Sequence, residues 1–542
     1  MNLLFRATVE SLKTGTNFVA NNRIIIFKEN DDQIYATKNR CKHSSGHFTP
    51  CDSSQKIVTC PFHGWKLDLQ KMTYVNPAGG LEQMQLKVEL RDTDVLIYDN
   101  ELSSDTFFVQ PRATERPDFK LEFLTHASVL FSTPELSIVT DPWLTGPAFL
   151  MGWWLKYAPP TDWLKKVCDV DYIYISHNHS DHLNIHTLRE IFKAKPDVRF
   201  LIPPFEDQSV LTPLKELGFQ NFIMPRFNEW HRLNDDTFIM ILPDASGRDD
   251  SGLLIDYRGY KVLDVVDCPN INDGILPKVD VLFTPFASGA SGYPVCWQDM
   301  YPAEKISNLV ERNRKKVLAL SLDIIEKTKP DIVVPFAGYF VEAYPGDSDI
   351  RALNKKNTPE EFRSTVEKKY NNTKVWCPTG GAIFSFKDKI EIKAGSSQPP
   401  EYDFEKYLGE IRAFNKKYRT SSGVDFLKSY FEWAGFCSDM LMNIILMNED
   451  FSEEKEAYWI DLQNLNVDTN RPDIQRKQFS RLKIRDDMFY YVALRGLPWE
   501  ELSIGFQTRL SRDPDVYEFD FWNHFQNKLP GTPFYKILNK KS

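Results

Sequence analysis

In Asp171-Tyr172-Ile173-Tyr174-Ile175-Ser176-His177-Asn178-His179-Ser180-Asp181-His182 an apolar run gives way, without a break, to three imidazoles and a carboxylate. The run is short, β-branched and aromatic, which reads as a buried strand. Four ionisable side chains crowded into the six residues after it have little value in a core, because every neutral imidazole would need its own buried hydrogen-bond partners. The crowding makes sense where a loop wraps a metal. His177 and His179 can then reach one ion, while Asp181 and His182, beyond a reversal of the loop, turn toward an adjacent one. A polar loop with satisfied histidines is the plainer alternative.

A second set of metal-type ligands stands far upstream. Cys41-Lys42-His43 and Cys60-Pro61-Phe62-His63 form a C-x-H … C-x-x-H pattern with sixteen residues between the halves. That is the spacing of a Rieske [2Fe-2S] cluster, in which one iron takes two thiolates and the other two imidazoles. Sixteen residues suffice for a strand pair between two tight loops. Gly46 and Pro61 are loop residues, and Gly64-Trp65-Lys66-Leu67-Asp68-Leu69 reads as a strand leaving the site. Zinc also suits two Cys and two His, but a finger-type site pairs Cys with Cys and His with His, whereas each half here is mixed. The run Cys60 to Asp68 resembles the Rieske domains of ring-hydroxylating oxygenases and their ferredoxins. The resemblance implies one-electron transfer to a second, catalytic metal.

The chain has 542 residues, enough for about three domains. An apolar fraction of 42% with 26% charged residues is that of a soluble globular protein. No run approaches the roughly 18 apolar residues that span a bilayer. Met1 to Glu10 lacks a basic head and apolar core, so no secretory signal is read and a cytoplasmic location is expected. Cys41 and Cys60 aside, Cys51, Cys168, Cys268, Cys296, Cys377 and Cys437 are scattered too widely for a disulfide framework, and most of them read as buried, reduced thiols. A net charge of −9 argues against a nucleic-acid binder, although a small anion needs only a local cluster of Arg and Lys. Short β runs such as Arg23 to Lys28 and Val95 to Tyr98 give an antiparallel β Rieske domain over 1–100, followed by a polar linker over 101–117. From 118 to 393 strands such as Phe238 to Leu242 alternate with helical patterns such as Ala303 to Ile325. After Gly395-Ser396-Ser397-Gln398-Pro399-Pro400, residues 401–542 read as a mainly helical α+β domain with a strand near Tyr458 to Leu462.

The pattern H-x-H-x-D-H after a strand resembles the metallo-β-lactamase fold, which implies an αβ/βα sandwich for the central domain. Leu124-Thr125-His126-Ala127-Ser128, Val139-Thr140-Asp141-Pro142-Trp143-Leu144 and Val262-Leu263-Asp264-Val265-Val266-Asp267-Cys268 resemble its sugar-phosphate and phospholipid-hydrolysing branch. The resemblance makes Asp267 a candidate metal-bridging ligand; an Asp that merely caps a strand end is the alternative. A dinuclear hydrolase of this fold takes further His ligands from the region around Pro243 to Leu254 and from the end of the domain. Neither is present, and no His stands between His231 and His524. The late ligand is therefore expected to be a carboxylate, a water or nothing. Asp244, Asp249 and Asp250 could supply oxygen in the first gap, and oxygen-rich ligation favours iron over a zinc pair. The same census denies the chain the two-His, one-carboxylate iron site that ordinary Rieske oxygenases place in a C-terminal domain. A catalytic metal is expected in the lactamase-like domain instead.

A Rieske domain ahead of a lactamase-like one is an unusual order, and it resembles the CMP-N-acetylneuraminate hydroxylases. The likeness extends to Asp141 to Phe149 with Gly152-Trp153-Trp154, Tyr174 to Leu183, Pro335 to Glu342, Gly505 to Leu510 and Phe521 to Gln526. That family carries a His in the segment corresponding to Asp244 to Asp250, where this chain has none. The resemblance implies a monooxygenase that converts the N-acetyl methyl of a CMP-sialic acid to hydroxymethyl with non-haem iron (mono- or dinuclear) and O2, a nucleotide sugar being the substrate. Electrons would come from NADH through a reductase and a b-type cytochrome or an equivalent donor, and a homo-oligomer is compatible with it. An acid–base pair cannot cut a methyl C–H bond, so a cofactor must carry the chemistry. For the substrate's phosphate and carboxylate, Gly289-Ala290-Ser291-Gly292-Tyr293-Pro294, Arg351 and Arg509 are candidates, against plain turn and ion-pair roles. Trp153 and Trp154 could line a pocket or pack a core, and Arg312-Asn313-Arg314-Lys315-Lys316 reads as a solvated helix face. Three alternatives stay open: the same chemistry on another small anionic or amine substrate, a zinc hydrolase with a redox-sensing Rieske module, and an electron carrier on a dead scaffold. Metal analysis separates them. Iron beyond the two atoms of the cluster is expected, and zinc with no extra iron would favour the hydrolase.

Overall fold

The computed structural model describes residues 3–42, 46–51, 54–61, 64–76, 81–98, 104–421 and 423–541. Two compact units arise, one from Met1–Thr114, Pro225–Leu282 and Ile324–Pro330, the other from Glu115–Met224, Phe283–Asp323 and Asp331–Ser542. Packing thus groups part of the central block with the N-terminal strands.

In the first unit Ile24–Lys28 is buried along its whole length and pairs antiparallel with both Gly15–Val19 and Ile34–Lys38. A second small sheet sets Asp94–Tyr98 between Leu3–Thr8 and Lys87–Arg91. Ile24, Ile26, Ala36, Val95 and Ile97 meet in one core between them. The third sheet, Thr49–Cys51, Ser54–Thr59, Lys66–Asp68 and Thr73–Asn76, is the antiparallel ladder that carries the Cys-bearing loops. The same unit holds the antiparallel strands His231–Arg232, Thr237–Pro243, Ser251–Tyr257 and Tyr260–Asp264. The hairpin at Tyr257 and Tyr260 turns through Arg258 and Gly259, both at positive φ, 53° and 80°. Gly259 has a second reason to be glycine: a Cβ there would lie 2.3 Å from Arg112 Cα. The expected linker is in fact tied down over its second half, where Gln110 Nε2 donates to Asp256 Oδ1 at 2.6 Å and Arg112 pairs with Asp280 at 2.6 Å.

The second unit is built on a mixed eight-stranded sheet. Ser137–Thr140, Tyr172–Tyr174, Arg199–Leu201 and Asn221–Ile223 run parallel, joined by helices such as Trp163–Asp169, Ile185–Ala194 and Leu211–Leu217. Ser128–Ser132 and Lys120–Thr125 continue it antiparallel toward Ala382–Ser385 and Ile390–Lys393. Two reversals leave Lys120–Thr125 pointing the same way as Ser137–Thr140 and Tyr172–Tyr174. The C-terminal residues add more sheet than the sequence suggests. Glu454–Asp461 belongs to a five-stranded sheet centred on Met440–Met447, whose eight residues are all buried although Asn is a poor strand former. Tertiary burial under helices such as Phe404–Tyr418, Gly423–Ala434 and Asp486–Arg495 decides that strand. The C-terminal part also lacks a core of its own, since Trp143, Phe149, Trp153 and Trp154 pack in one cluster with Tyr430, Phe489 and Trp499.

Backbone contact fixes this junction. A Cβ on Gly152 would lie 2.0 Å from the Gly505 carbonyl oxygen, and one on Gly505 would lie 2.2 Å from that of Phe149. Gln507 Nε2 donates to Leu150 O at 2.8 Å beside them. Because the obstacles are backbone, no side-chain rotation relieves an added methyl, and overpacking of this kind costs about 2–3 kcal/mol. Gly152→Ala is therefore expected to lower the apparent unfolding temperature by several degrees in calorimetry. An unchanged transition would mean that the two segments do not meet in solution.

Candidate metal centre

Three co-directional strands of the eight-stranded sheet end at one edge, and each is followed at once by a residue of the site. His126 follows Lys120–Thr125, Asp141 follows Ser137–Thr140, and Ser176 with His177 comes just after Tyr172–Tyr174. Open α/β sheets bind ligands at such carboxyl ends. Asp141 organises the loop. Its Oδ1 accepts the Ser176 N–H at 2.7 Å, and its Oδ2 accepts the Ser176 hydroxyl at 2.7 Å and lies 2.9 Å from His182 Nδ1. The loop is closed by Leu183 N donating to His179 O at 2.8 Å, and Asn184 caps the following helix by accepting from Thr187 N at 2.9 Å.

The imidazoles are sorted by what holds their outer nitrogens. His177 Nδ1 lies 2.9 Å from Ser176 Oγ, His182 Nδ1 is on Asp141, and His179 Nε2 faces Glu500 Oε2 at 3.5 Å. This leaves His177 Nε2, His179 Nδ1 and His182 Nε2 directed inward. The first two face each other at 2.8 Å. Asp181 Oδ2 lies 3.3 Å from His182 Nε2 and 3.0 Å from His126 Nε2, and Asp181 Oδ1 is buried with no hydrogen-bond partner. His126, Asp181 and His182 offer ligand atoms that all lie within 4.8 Å of one another, and all three residues are buried. Burial by itself would raise the Asp181 carboxyl, yet His182 and His126 hold it well below the usual range. Inward nitrogens set beside a dry carboxylate are a donor set that fits a cation, and imidazole with carboxylate suits iron.

The structure therefore brings together His177 with His179, and Asp181 with His182. Asp267 belongs to the other compact unit, in the turn after Tyr260–Asp264, where Cys268 N donates to Val265 O at 3.2 Å. Asp244 and Asp250 are buried in that unit; Asp244 accepts from Asn270 N at 2.9 Å, and burial, aided by Asp250, pushes its carboxyl up to about 6. The sequence reading missed Asp141 as an organiser, His126 as a member of the cluster, and Glu500 and Glu501. Ser180 donates to Glu501 Oε2 at 3.3 Å, and desolvation pushes the Glu501 carboxyl up to about 7. For His126 and Asp141 two signals were at hand: both stand directly after apolar strands, and both fall in segments that resemble the sugar-phosphate and phospholipid-hydrolysing branch.

In the first unit Cys41 and Cys60 are both buried. Cys41 N donates to Gly46 O at 2.7 Å, Cys60 N to Trp65 O at 2.7 Å, and Gly64 N back to Cys60 O at 2.9 Å with Gly64 at φ 71°. His43 and His63 lie outside the described residues. The Tyr74 hydroxyl accepts from Lys42 N at 2.9 Å and donates to Gln83 at 2.7 Å, and burial, then the neighbouring Cys41 thiol, raise its pKa. Lys42 pairs with Asp273 at 3.5 Å.

The substrate candidates are engaged elsewhere. Arg509 holds Asp349 through both Nε and Nη2, and Arg351 Nη1 donates to the carbonyls of Glu342 and Tyr344. Trp153 and Trp154 are core residues whose indole N–H groups donate to Ile504 O and Met151 O. A Cβ on Gly292 would lie 2.2 Å from Ser503 O, so that turn is packed rather than open. Residues 312 and 314–316 lie on the helix Ala303–Thr328, with Arg312, Lys315 and Lys316 exposed. Among the described residues no helix is long and apolar enough to cross a membrane.

Comparison with known proteins bears on the family of the chain. The model of the Rieske [2Fe-2S] domain matches residues 3–85 and that of a beta-lactamase superfamily domain matches residues 120–317. The chain is 36% identical over 555 residues to the cytidine monophosphate-N-acetylneuraminic acid hydroxylase of Pan troglodytes, with 97% of this chain and 93% of that protein covered. The protein of that name from Mus musculus is 36% identical, with 97% and 95% covered. Among solved structures, CmlA, a diiron beta-hydroxylase from Streptomyces venezuelae, is 16% identical over 51% of this chain and 55% of that one at a TM-score of 0.34, too slight a likeness to build on. The Rieske pattern, the H-x-H-x-D-H loop and a match at 36% identity along 97% of its length together make this chain a member of the cytidine monophosphate-N-acetylneuraminic acid hydroxylase family.

Proposed function

We propose that the protein is an iron-dependent monooxygenase that hydroxylates the N-acetyl methyl of CMP-N-acetylneuraminate, giving CMP-N-glycolylneuraminate. The observation that carries this reading is family membership along nearly the entire chain, with both metal-ligand patterns intact. Cys41, His43, Cys60 and His63 would hold the [2Fe-2S] cluster. His177, His179, Asp181 and His182 would hold non-haem iron, with Asp267 added on the resemblance. Bound there, the iron would supply the oxidising power that no side chain has, with O2 as co-substrate and electrons arriving through the cluster. NADH, a reductase and a b-type cytochrome are proposed as the source of those electrons, and the cytoplasm as the location. The domain limits proposed with it are 1–100, 118–393 and 401–542.

What this chain's own residues contribute is orientation. The Asp141 carboxylate, taking the Ser176 hydroxyl and the His182 Nδ1 side, sets the His182 tautomer so that Nε2 presents a lone pair inward. Ser176 does the same for His177. Burial of His177 and His182 at 1% exposure each keeps water from competing for those nitrogens. A methyl group carries no charge by which to be held, so its placement would depend on binding the distant phosphate and carboxylate of the nucleotide sugar.

Anaerobically reduced protein given CMP-N-acetylneuraminate and then 18O2 should return product with label in the new hydroxyl. Unlabelled or absent product from fully metallated protein would remove the assignment. His179→Ala should cut turnover by about 100-fold or more while the visible and EPR spectra of the reduced cluster stay as they are, since even outer partners of a ligating His are worth 10–100-fold. Persistence of turnover in that variant would place the catalytic metal elsewhere.

A further inference from the structure

An ion beside Asp181 and His182 would have only two ligands from the H-x-H-x-D-H loop, and the absence of any His between His231 and His524 closes off a histidine from later in the central domain. Among the described residues the other imidazoles are accounted for. His524 Nε2 is on Ala434 O at 2.6 Å, and His47 Nδ1 is on Asn39 O at 2.7 Å. His186 packs its ring edge-on against Tyr407 with centroids 4.7 Å apart, under Gly146. His231 lies on the edge strand His231–Arg232 of the other unit. His126 is different. It is completely buried, its Nε2 and that of His182 converge on the same Asp181 oxygen, and its Nδ1 has no hydrogen-bond partner, so Asp181 is the sole polar contact of the ring. Its backbone is held at φ 49°, a conformation that a non-glycine residue rarely adopts, and Trp143 fixes the ring edge-on at 5.0 Å.

We propose that His126 is a metal ligand through Nε2, the third protein donor, with Asp181 and His182, of a second ion next to the one held by His177 and His179. The proposal rests on the reading of the His177–His182 loop as a metal centre. It replaces the expectation that the late ligand is a carboxylate, a water or nothing: the missing imidazole comes from the front of the domain, delivered by the strand Lys120–Thr125. A dinuclear centre follows, in which, Asp267 aside, His177 and His179 go to the first ion and His126, Asp181 and His182 to the second. The rival role for His126 is a hydrogen bond that merely positions Asp181.

Glutamine can donate that hydrogen bond but is a poor ligand, so His126→Gln separates the two. Full-length protein is loaded anaerobically with Fe(II), and iron per chain is measured after subtracting the cluster iron, quantified by EPR of the reduced protein. Wild type should hold two non-cluster irons and His126→Gln one, with the cluster signal unchanged. A variant that keeps both irons overturns the ligand role, and a wild type that holds only one overturns the second ion. A wild type with no non-cluster iron would instead sink the underlying reading of the loop. A measurement on wild type alone serves if the variant does not fold. Co(II) loading should bring up four exchangeable, hyperfine-shifted imidazole N–H resonances beyond those of the cluster, and three would exclude His126.

Discussion

The carboxylate of Asp141, buried at the edge of a sheet and shared among the Ser176 amide, the Ser176 hydroxyl and the His182 ring, is the contact on which the rest of the centre depends. Hydrogen bonds to a charged group are worth about 1.5–3 kcal/mol each, whereas the left-handed backbone at Asp141, φ 36°, costs about 1–3 kcal/mol. The bonds win, and the loop is pinned to its neighbouring strand. With Asp141 taking one nitrogen of His182 and Ser176 one of His177, the opposite nitrogens have a single direction left to face. An arrangement this dry carries an energetic penalty unless something positive sits among the inward groups, because an unpartnered buried polar atom such as Asp181 Oδ1 costs about 1–3 kcal/mol.

The parts of this centre that were legible in the sequence are those whose chemistry is local. The H-x-H-x-D-H loop and the two loops that pair a Cys with a His each place their ligands within a few residues, and the first of these patterns is a strand-end loop in the structure. What was not legible comes from long range. His126 reaches Asp181 across 55 residues, Asp141 reaches His182 across 41, and Glu501 reaches Ser180 across 321. No periodicity announces such pairs; only the sheet order brings them together. The strand Met440–Met447 was hidden for a related reason, since a run buried on both faces has no alternation to tell it from a buried helix, and its place is set by the helices that bury it. Asp267 rests on family resemblance, whereas His43 and His63 rest on the C-x-H … C-x-x-H spacing.

The C-terminal residues are more than an appendage. They share one hydrophobic core with the central strands, touch them backbone to backbone at Gly152 and Gly505, and send Glu500 and Glu501 to the metal loop. Cutting the chain near residue 400 would remove the wall behind His179. This accounts for a family likeness that runs to the last fifty residues, where neither metal motif lies.

The most direct test of the account is to locate the metals. Crystals of the anaerobically iron-loaded protein, measured on both sides of the iron absorption edge, should give anomalous peaks at two separate places: one between the Cys41 and Cys60 loops, the other among His177, His179, Asp181 and His182. An anomalous map with the first peak alone, or a zinc-edge signal in place of iron at the His177 loop, would contradict it.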